Sequence, residues 1–172
     1  MPDTSLAKSL LSTARSLTNR ISSQANLRRA VSTAYYAMFH ALAKVCADAL
    51  VGPRRSQRSN KAWVEVYRGL GHGPCKDSCT KANSIGFPDE IQDFADNFVQ
   101  LQDARERADY DPTFKLTQEQ AKVFVSWAEQ SIVSLNQVSA IDKTAFAAWV
   151  LITTRGAVHA RKLSKEALSA AE

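Results

Sequence analysis

The sequence predicts an all-α protein, an up-and-down helical bundle of four to five core helices with an extra C-terminal helix. Apolar residues recur three and four positions apart along most of the chain, the period of a helix that buries one face. Only 6 Gly and 5 Pro occur among 172 residues, and they gather mainly between those periodic segments. No stretch alternates apolar and polar residues as a half-buried strand does.

Asp3 or Thr4 can cap a first helix that runs to about Leu17, with Leu6, Leu10, Ala14 and Leu17 on its apolar face. The polar turn over 18–24 is short, so the next helix should pack antiparallel to the first. That second helix, residues 26–50, has no Gly or Pro and has Ser22 and Ser23 upstream as N-cap candidates. Val31, Tyr35, Met38, Leu42, Val45 and Ala49 form its apolar stripe. A second stripe, Arg29, Thr33, Tyr36 and His40, sets a cation, a hydroxyl, a phenol and an imidazole in one line. Such a line either binds an anion or a nucleotide or is a partly solvated face. Gly52-Pro53 ends the helix and opens a loop with Arg54, Arg55 and Arg58, either a solvated connector or a phosphate-contacting arm.

Asn60 is expected to cap a short third helix over 61–70, burying Trp63, Val66, Tyr67 and Leu70. The glycine-rich stretch that follows holds His72, Cys75 and Cys79. A structural zinc site wants four ligands, and these supply three, so no metal is expected. Cys75 and Cys79 should share one helical face, whereas His72, flanked by glycines, reads as part of a mobile loop and, as such, either a plain loop residue or a catalytic one. Pro88 should be the first residue of a fourth helix over 89–108, with Asp89 and Glu90 favourable at its positive N-terminus. Its stripe of Ile91, Phe94, Phe98 and Leu101 continues into Arg105. A guanidinium on an apolar face needs a polar partner unless the helix end emerges into solvent. Arg107 is expected to pair with Asp103, and Pro112 to stop the helix.

Thr117 and Gln120 form a capping box that opens a fifth helix carrying Ala121, Phe124, Val125, Ala128, Ile132 and Leu135. A further helix over 144–154 has Phe146, Trp149, Val150 and Ile152, which must pack on the bundle, a second copy or a partner. Residues 156–172 are expected to fray or to end in a short helix.

Composition is that of an ordinary globular domain, 45% hydrophobic and 23% charged. The longest apolar run, 145–152, falls far short of the about 20 residues of a membrane span. No secretion signal is evident, and three cysteines suggest reduced thiols, so a cytoplasmic protein is expected. Charge is uneven: residues 1–81 carry 13 Lys and Arg against 4 Asp and Glu, and residues 82–172 carry 9 against 13. The basic half suits RNA or DNA phosphates, or the acidic half of a second copy.

Two segments, AVSTAYYAMFHALAKV over 30–45 and RERADYDPTFKLTQEQAKVFVSWAEQSI over 105–132, together resemble the HEPN superfamily. The closest branch comprises small prokaryotic proteins with a Tyr-Tyr-Ala helix and an Arg…Asp-Tyr segment before the last core helix. The similarity covers about residues 20–135. It implies a HEPN-like bundle over 1–142, a C-terminal extension over 143–172, and a homodimer. It also implies RNA or nucleotide as ligand, an antitoxin or nucleotidyltransferase partner, and metal-independent RNase activity without a cofactor in many members.

The family's nuclease motif is an Arg followed after four to six residues by a His. Here Arg105 is followed after four residues by Tyr110, with Arg107 and Asp109 between. Arg68 with His72 and Arg155 with His159 are both one residue too close. A Tyr is a poor base at neutral pH, so the resemblance leaves His40 to supply the imidazole, if its stripe faces Arg105. Arg105, His40 and Tyr110 are then the candidate catalytic residues, and Arg29, Tyr36, Arg107, Asp109, Arg54 and Arg55 the candidate RNA-binding ones. The expected function is an RNA-interacting protein of a toxin–antitoxin, defence or stress-response system, a ribonuclease if active. The alternatives are a non-catalytic interaction module beside a nucleotidyltransferase and a small-nucleotide-binding domain.

Overall fold

A computed structural model of the chain describes residues 5–19 and 23–153, together with 156–157, 159–160 and 162–163. The expected Asp3 or Thr4 cap, the Arg155 spacing and most of the 156–172 stretch lie outside the described residues. Seven α-helices occur among those described, and they pack as a bundle: α1 (Leu6–Thr18), α2 (Gln24–Val51), α3 (Asn60–Arg68), α4 (His72–Thr80), α5 (Asp89–Tyr110), α6 (Gln118–Gln137) and α7 (Ala140–Leu151). No helix among them is long and apolar enough to cross a membrane.

The bundle is organised around α2, which touches α1, α3, α5, α6 and α7. Ser23 caps it by accepting from the Asn26 N–H. Ala30, Ala34, Ala37, Ala43 and Ala47 are fully buried, and their small side chains let neighbouring helices come close. Between them Val31, Tyr35, Met38 and Leu42 supply bulk. Against this axis α5 sets Ile91, Phe94, Phe98 and Leu101, and α7 adds Phe146 and Val150. A smaller cluster of Leu27, Val31, Ala104, Leu116 and Ala121 seals the junction of α2, α5 and α6.

Several boundaries differ from those expected. The helix α3 is capped by Ser59 rather than Asn60, because Ser59 is extended and accepts from the Ala62 N–H. Pro88 is the cap residue of α5, with backbone outside the helical region, and α5 continues to Tyr110. The helix α7 starts at Ala140, four residues before the expected 144, because Ser139 caps it. Its aromatic face packs on the bundle: Phe146 meets Phe87 and Phe94, and the Trp149 Nε1–H donates to the Ser78 carbonyl at 2.9 Å.

The largest correction concerns the glycine-rich stretch, where residues 72–80 form the helix α4. Pro74 lies in its first turn, the one place where its missing N–H costs nothing. Cys75 and Cys79 then share the buried face as expected, and no metal-binding cluster occurs among the described residues.

The arginine-rich loop also divides. Arg54 and Arg55 are exposed, whereas the Arg58 side chain is 4% exposed and folds back onto the end of α2. Its NH1 group reaches Asp48 at 3.1 Å and the Gly52 carbonyl at 2.9 Å, and its guanidinium stacks 4.3 Å from the Trp63 ring. Gly52 makes this return possible with φ 111, a conformation that favours glycine. Asp48 also accepts from Trp63 Nε1–H at 2.8 Å and pairs with Lys44. Removing it strands a buried cation. Asp48→Ala is expected to destabilise the fold by about 3 kcal/mol, read as a lower urea midpoint at unchanged slope. Asp48→Asn, which keeps an acceptor, should lose less.

Candidate functional site

The C-terminal turns of α5 are fastened to the N-terminal half of α2 by Arg28, a residue the sequence did not single out. Its Nε donates to the Ala108 carbonyl at 2.6 Å and its NH2 group to the Asp111 carbonyl at 2.8 Å. These carbonyls lie where a helix runs out of its own donors. Beside it the Gln24 side-chain amide both donates to the Leu116 carbonyl and accepts from the Leu116 N–H, at 2.7 and 3.0 Å. The turn after Asp111 is thereby fixed, and the side chains of the last two turns of α5 are set against α2.

Arg105 lies where the apolar stripe of α5 runs out. Its side chain is 17% exposed, and it has the partners that such burial requires. The NH2 group donates to the Tyr36 hydroxyl at 2.8 Å. The Nε atom lies 2.8 Å from Asp109 Oδ2, an ion pair without the alignment of a hydrogen bond. Asp109 in turn accepts from Ser32 at 3.3 Å. Three tyrosine rings surround the guanidinium, those of Tyr35, Tyr36 and Tyr110 at 5.9, 5.3 and 5.7 Å. Tyr110 itself is exposed and lines an open cleft of about 670 Å³ together with Arg105, Glu106 and Arg107.

The imidazole that belongs to this cluster is His72, not His40. His40 is occupied by Tyr67, whose hydroxyl lies 2.8 Å from Nδ1 with the two rings stacked. His72, on the first turn of α4, stacks on Phe39 at 4.0 Å between ring centres and meets Tyr36 edge to face at 5.9 Å. Its Nδ1 lies 2.6 Å from the Tyr35 hydroxyl. Burial, and then the neighbouring thiol of Cys75, pushes the Tyr35 phenol well above its ordinary range, so it keeps its proton. A buried hydroxyl that keeps its proton needs an acceptor, and Nδ1 is the one within reach. His72 therefore carries its own proton on Nε2. Burial and the charge of Arg105 hold its pKa below the ordinary value, so the neutral ring prevails at neutral pH. The His40 pKa is lowered too, by burial and then by His72.

Of the residues named from the sequence, the fold brings together Arg105, Tyr36, Asp109 and Tyr110. Arg29 is exposed and has no contact with this cluster among the described residues. Arg107 does not pair with Asp103, which is taken by Lys76; its guanidinium lies 4.4 Å from the Phe114 ring. Arg54 and Arg55 follow the far end of α2, about 22 Å along the axis from Tyr36 at 1.5 Å per residue. The flanking glycines of His72 suggest a loop, so the sequence offers it as a catalytic residue only in a loop and does not link it to Arg105. Pro74, two residues on, was the available sign of a helix start.

The cluster can do two things chemically. A guanidinium at the edge of an open cleft, with an imidazole on the other side of the Tyr36 ring that it holds, suits an oxyanion such as phosphate. A histidine can also act on protons, the neutral ring taking one up and the protonated ring giving one back.

Both histidines favour the fold when neutral, since their folded pKa values lie below the free value of 6.5. Their contribution is fully present above that value and is lost as pH falls through the folded values. The thermal midpoint is therefore expected to drop from about pH 7 to about pH 5. It should drop less in the double variant His40→Gln with His72→Gln; parallel curves would assign the acid sensitivity to carboxylates instead.

Comparison with protein-family models, with curated proteins and with solved structures finds no match for this chain.

Proposed function

We propose that the protein is a HEPN-type RNA-interacting protein of a toxin–antitoxin, defence or stress-response system, gripping a backbone phosphate with Arg105 and His72. The observation that carries this reading is the Arg105 cluster itself. Tyr36 and Asp109 hold the guanidinium at the edge of a cleft, and the His72 ring meets Tyr36 edge to face. An arginine serving packing alone has no use for the imidazole or for the cleft. The basic first half, 13 cationic against 4 anionic residues, adds a long-range attraction for phosphate, against three carboxylates at the cleft itself, Asp103, Glu106 and Asp111. Asp109 cancels part of the Arg105 charge, which moderates the grip and favours a ligand that releases.

The similarity of residues 30–45 and 105–132 to HEPN proteins points the same way. The histidine expected four to six residues after the arginine is replaced by Tyr110. In this reading His72, from a different helix, takes its place. That observation favours cleavage as a second reading. Metal-free cleavage would proceed by attack of a 2′-hydroxyl on the adjacent phosphorus, leaving a 2′,3′-cyclic phosphate and a free 5′-hydroxyl. His72, in its protonated form, would give the Nε2 proton to the departing 5′-oxygen and be left as the neutral ring. Glu106, lining the same cleft, would take the proton of the 2′-hydroxyl, and Arg105 would stabilise the charge on phosphorus.

Fluorescence anisotropy with a labelled single-stranded RNA decamer at low salt tests the binding. Arg105→Ala is expected to weaken it about 10- to 100-fold, the loss of one charge-assisted contact, and to flatten the salt dependence by about one phosphate. Unchanged affinity in Arg105→Ala rejects the reading. Affinity should rise as pH falls below the ordinary histidine value, because His72 then becomes cationic, and His72→Gln should remove that rise. Incubation of the decamer with excess chelator tests cleavage: cyclic-phosphate ends that disappear in His72→Gln support it, and intact RNA leaves binding alone.

A further inference from the structure

On the other flank of α5, that helix, α6 and the 111–117 segment enclose a groove of about 600 Å³. This is within the range of small-ligand sites, about 300–1,000 Å³. Phe114, Phe124 and Trp127 line it, and the last two meet edge to face, 5.5 Å apart at 84°. Two cations, Arg107 and Lys115, and two acids, Asp103 and Glu119, line the same groove, and the acids are already paired with Lys76 and Lys122. Packing accounts for only one side of these rings, where Phe114, Phe124 and Trp127 rest against the core. Trp127 is only half-buried, Val123 beside it is 45% exposed, and Arg107 lies against the Phe114 ring instead of an acid.

The groove adjoins the Arg105 cleft, since Asp103 and Arg107 line both. The two are separated by the exposed ridge of α5, about 10–12 Å wide. A ligand that fills the groove and also reaches Arg105 must therefore carry a planar, polar-edged group on a chain of phosphates. An aliphatic peptide matches the aromatic walls but leaves Arg107 and Lys115 without counter-charges. A nucleobase matches both, since its faces stack on aromatic rings and its phosphates meet the cations. A base inside a duplex is already stacked and paired, and it cannot enter.

We infer that this groove takes an unpaired nucleobase of the same strand whose phosphate Arg105 holds, so that the ligand class is single-stranded RNA. The inference rests on the phosphate reading above and adds to it a second point of contact and a preference for single strands. Arg107 is its bridge, placed to meet the backbone as the strand passes from cleft to groove.

Three labelled probes test it: a ten-residue oligoadenylate, the same strand annealed to oligouridylate, and a decamer of abasic phosphodiester units. The wild-type protein should bind the single strand more tightly than the duplex or the abasic strand. Trp127→Leu, which keeps an apolar side chain against the core, should weaken oligoadenylate about 5- to 150-fold, the loss of one stacked base, and leave the abasic strand unchanged. Trp127→Phe should retain most of the affinity, and a thermal midpoint for each variant confirms folding. Emission should be quenched on binding in the wild type and less so in Trp127→Phe.

Equal binding of oligoadenylate and the abasic strand overturns the groove assignment while the phosphate reading stands. So does an equal loss of both in Trp127→Leu. Full retention of oligoadenylate by a folded Trp127→Leu also overturns it and gives the groove to another occupant, such as a peptide. Failure of the wild type to bind any probe overturns both readings.

Discussion

One arginine fixes the geometry of everything around the cleft. The guanidinium of Arg28 holds the carbonyls of Ala108 and Asp111, which the end of α5 leaves without helical donors. Hydrogen bonds to a charged donor contribute about 1.5–3 kcal/mol each, enough to stop the last turn from fraying. The Gln24 amide, closed in both directions on Leu116, then ties down the chain leading into α6. Arg105 and Asp109 occupy the turns so held, and a frayed helix end would put both into bulk water.

The helix α2 serves core and cleft at once because neighbouring side chains on a helix point about 100° apart. Tyr35 is fully buried against Phe98, while Tyr36, the next residue, turns toward Arg105. The two functions meet in the Tyr35 hydroxyl, which reaches out of the core to His72. The rotation of that ring is thus tied to the best-packed part of the bundle, and Phe39 stacked on its face limits it further. A polar network set on a rigid wall loses little entropy when a ligand arrives.

Much of the fold was legible in the sequence because its signals are local. The capping box at Thr117 and the stripes of α2, α5 and α6 depend on residues within one or two turns of each other. The stripe alone showed that Arg105 needs a polar partner or an exit to solvent, and it was the resemblance of the two segments that put it with Tyr36. His72 was not legible as a member of the cluster. Its glycine neighbours mask the start of α4, and its partners Tyr35 and Phe39 lie more than thirty positions away. Arg58 misled in the opposite sense. One of three clustered arginines, it looks like a surface charge, yet the turn at Gly52 folds it onto Trp63 and Asp48.

By itself the sequence determined that the chain is helical, roughly where six of the seven helices lie, and which faces are apolar, since period and capping are properties of neighbouring residues. Only the tertiary structure decided which histidine stands beside Arg105, which arginine holds the end of α5, and that an aromatic groove opens beyond Arg107. Those pairings depend on how α4, α5 and α6 lie against α2. That arrangement comes from the packing of buried side chains across the whole bundle, and no short stretch of sequence contains it.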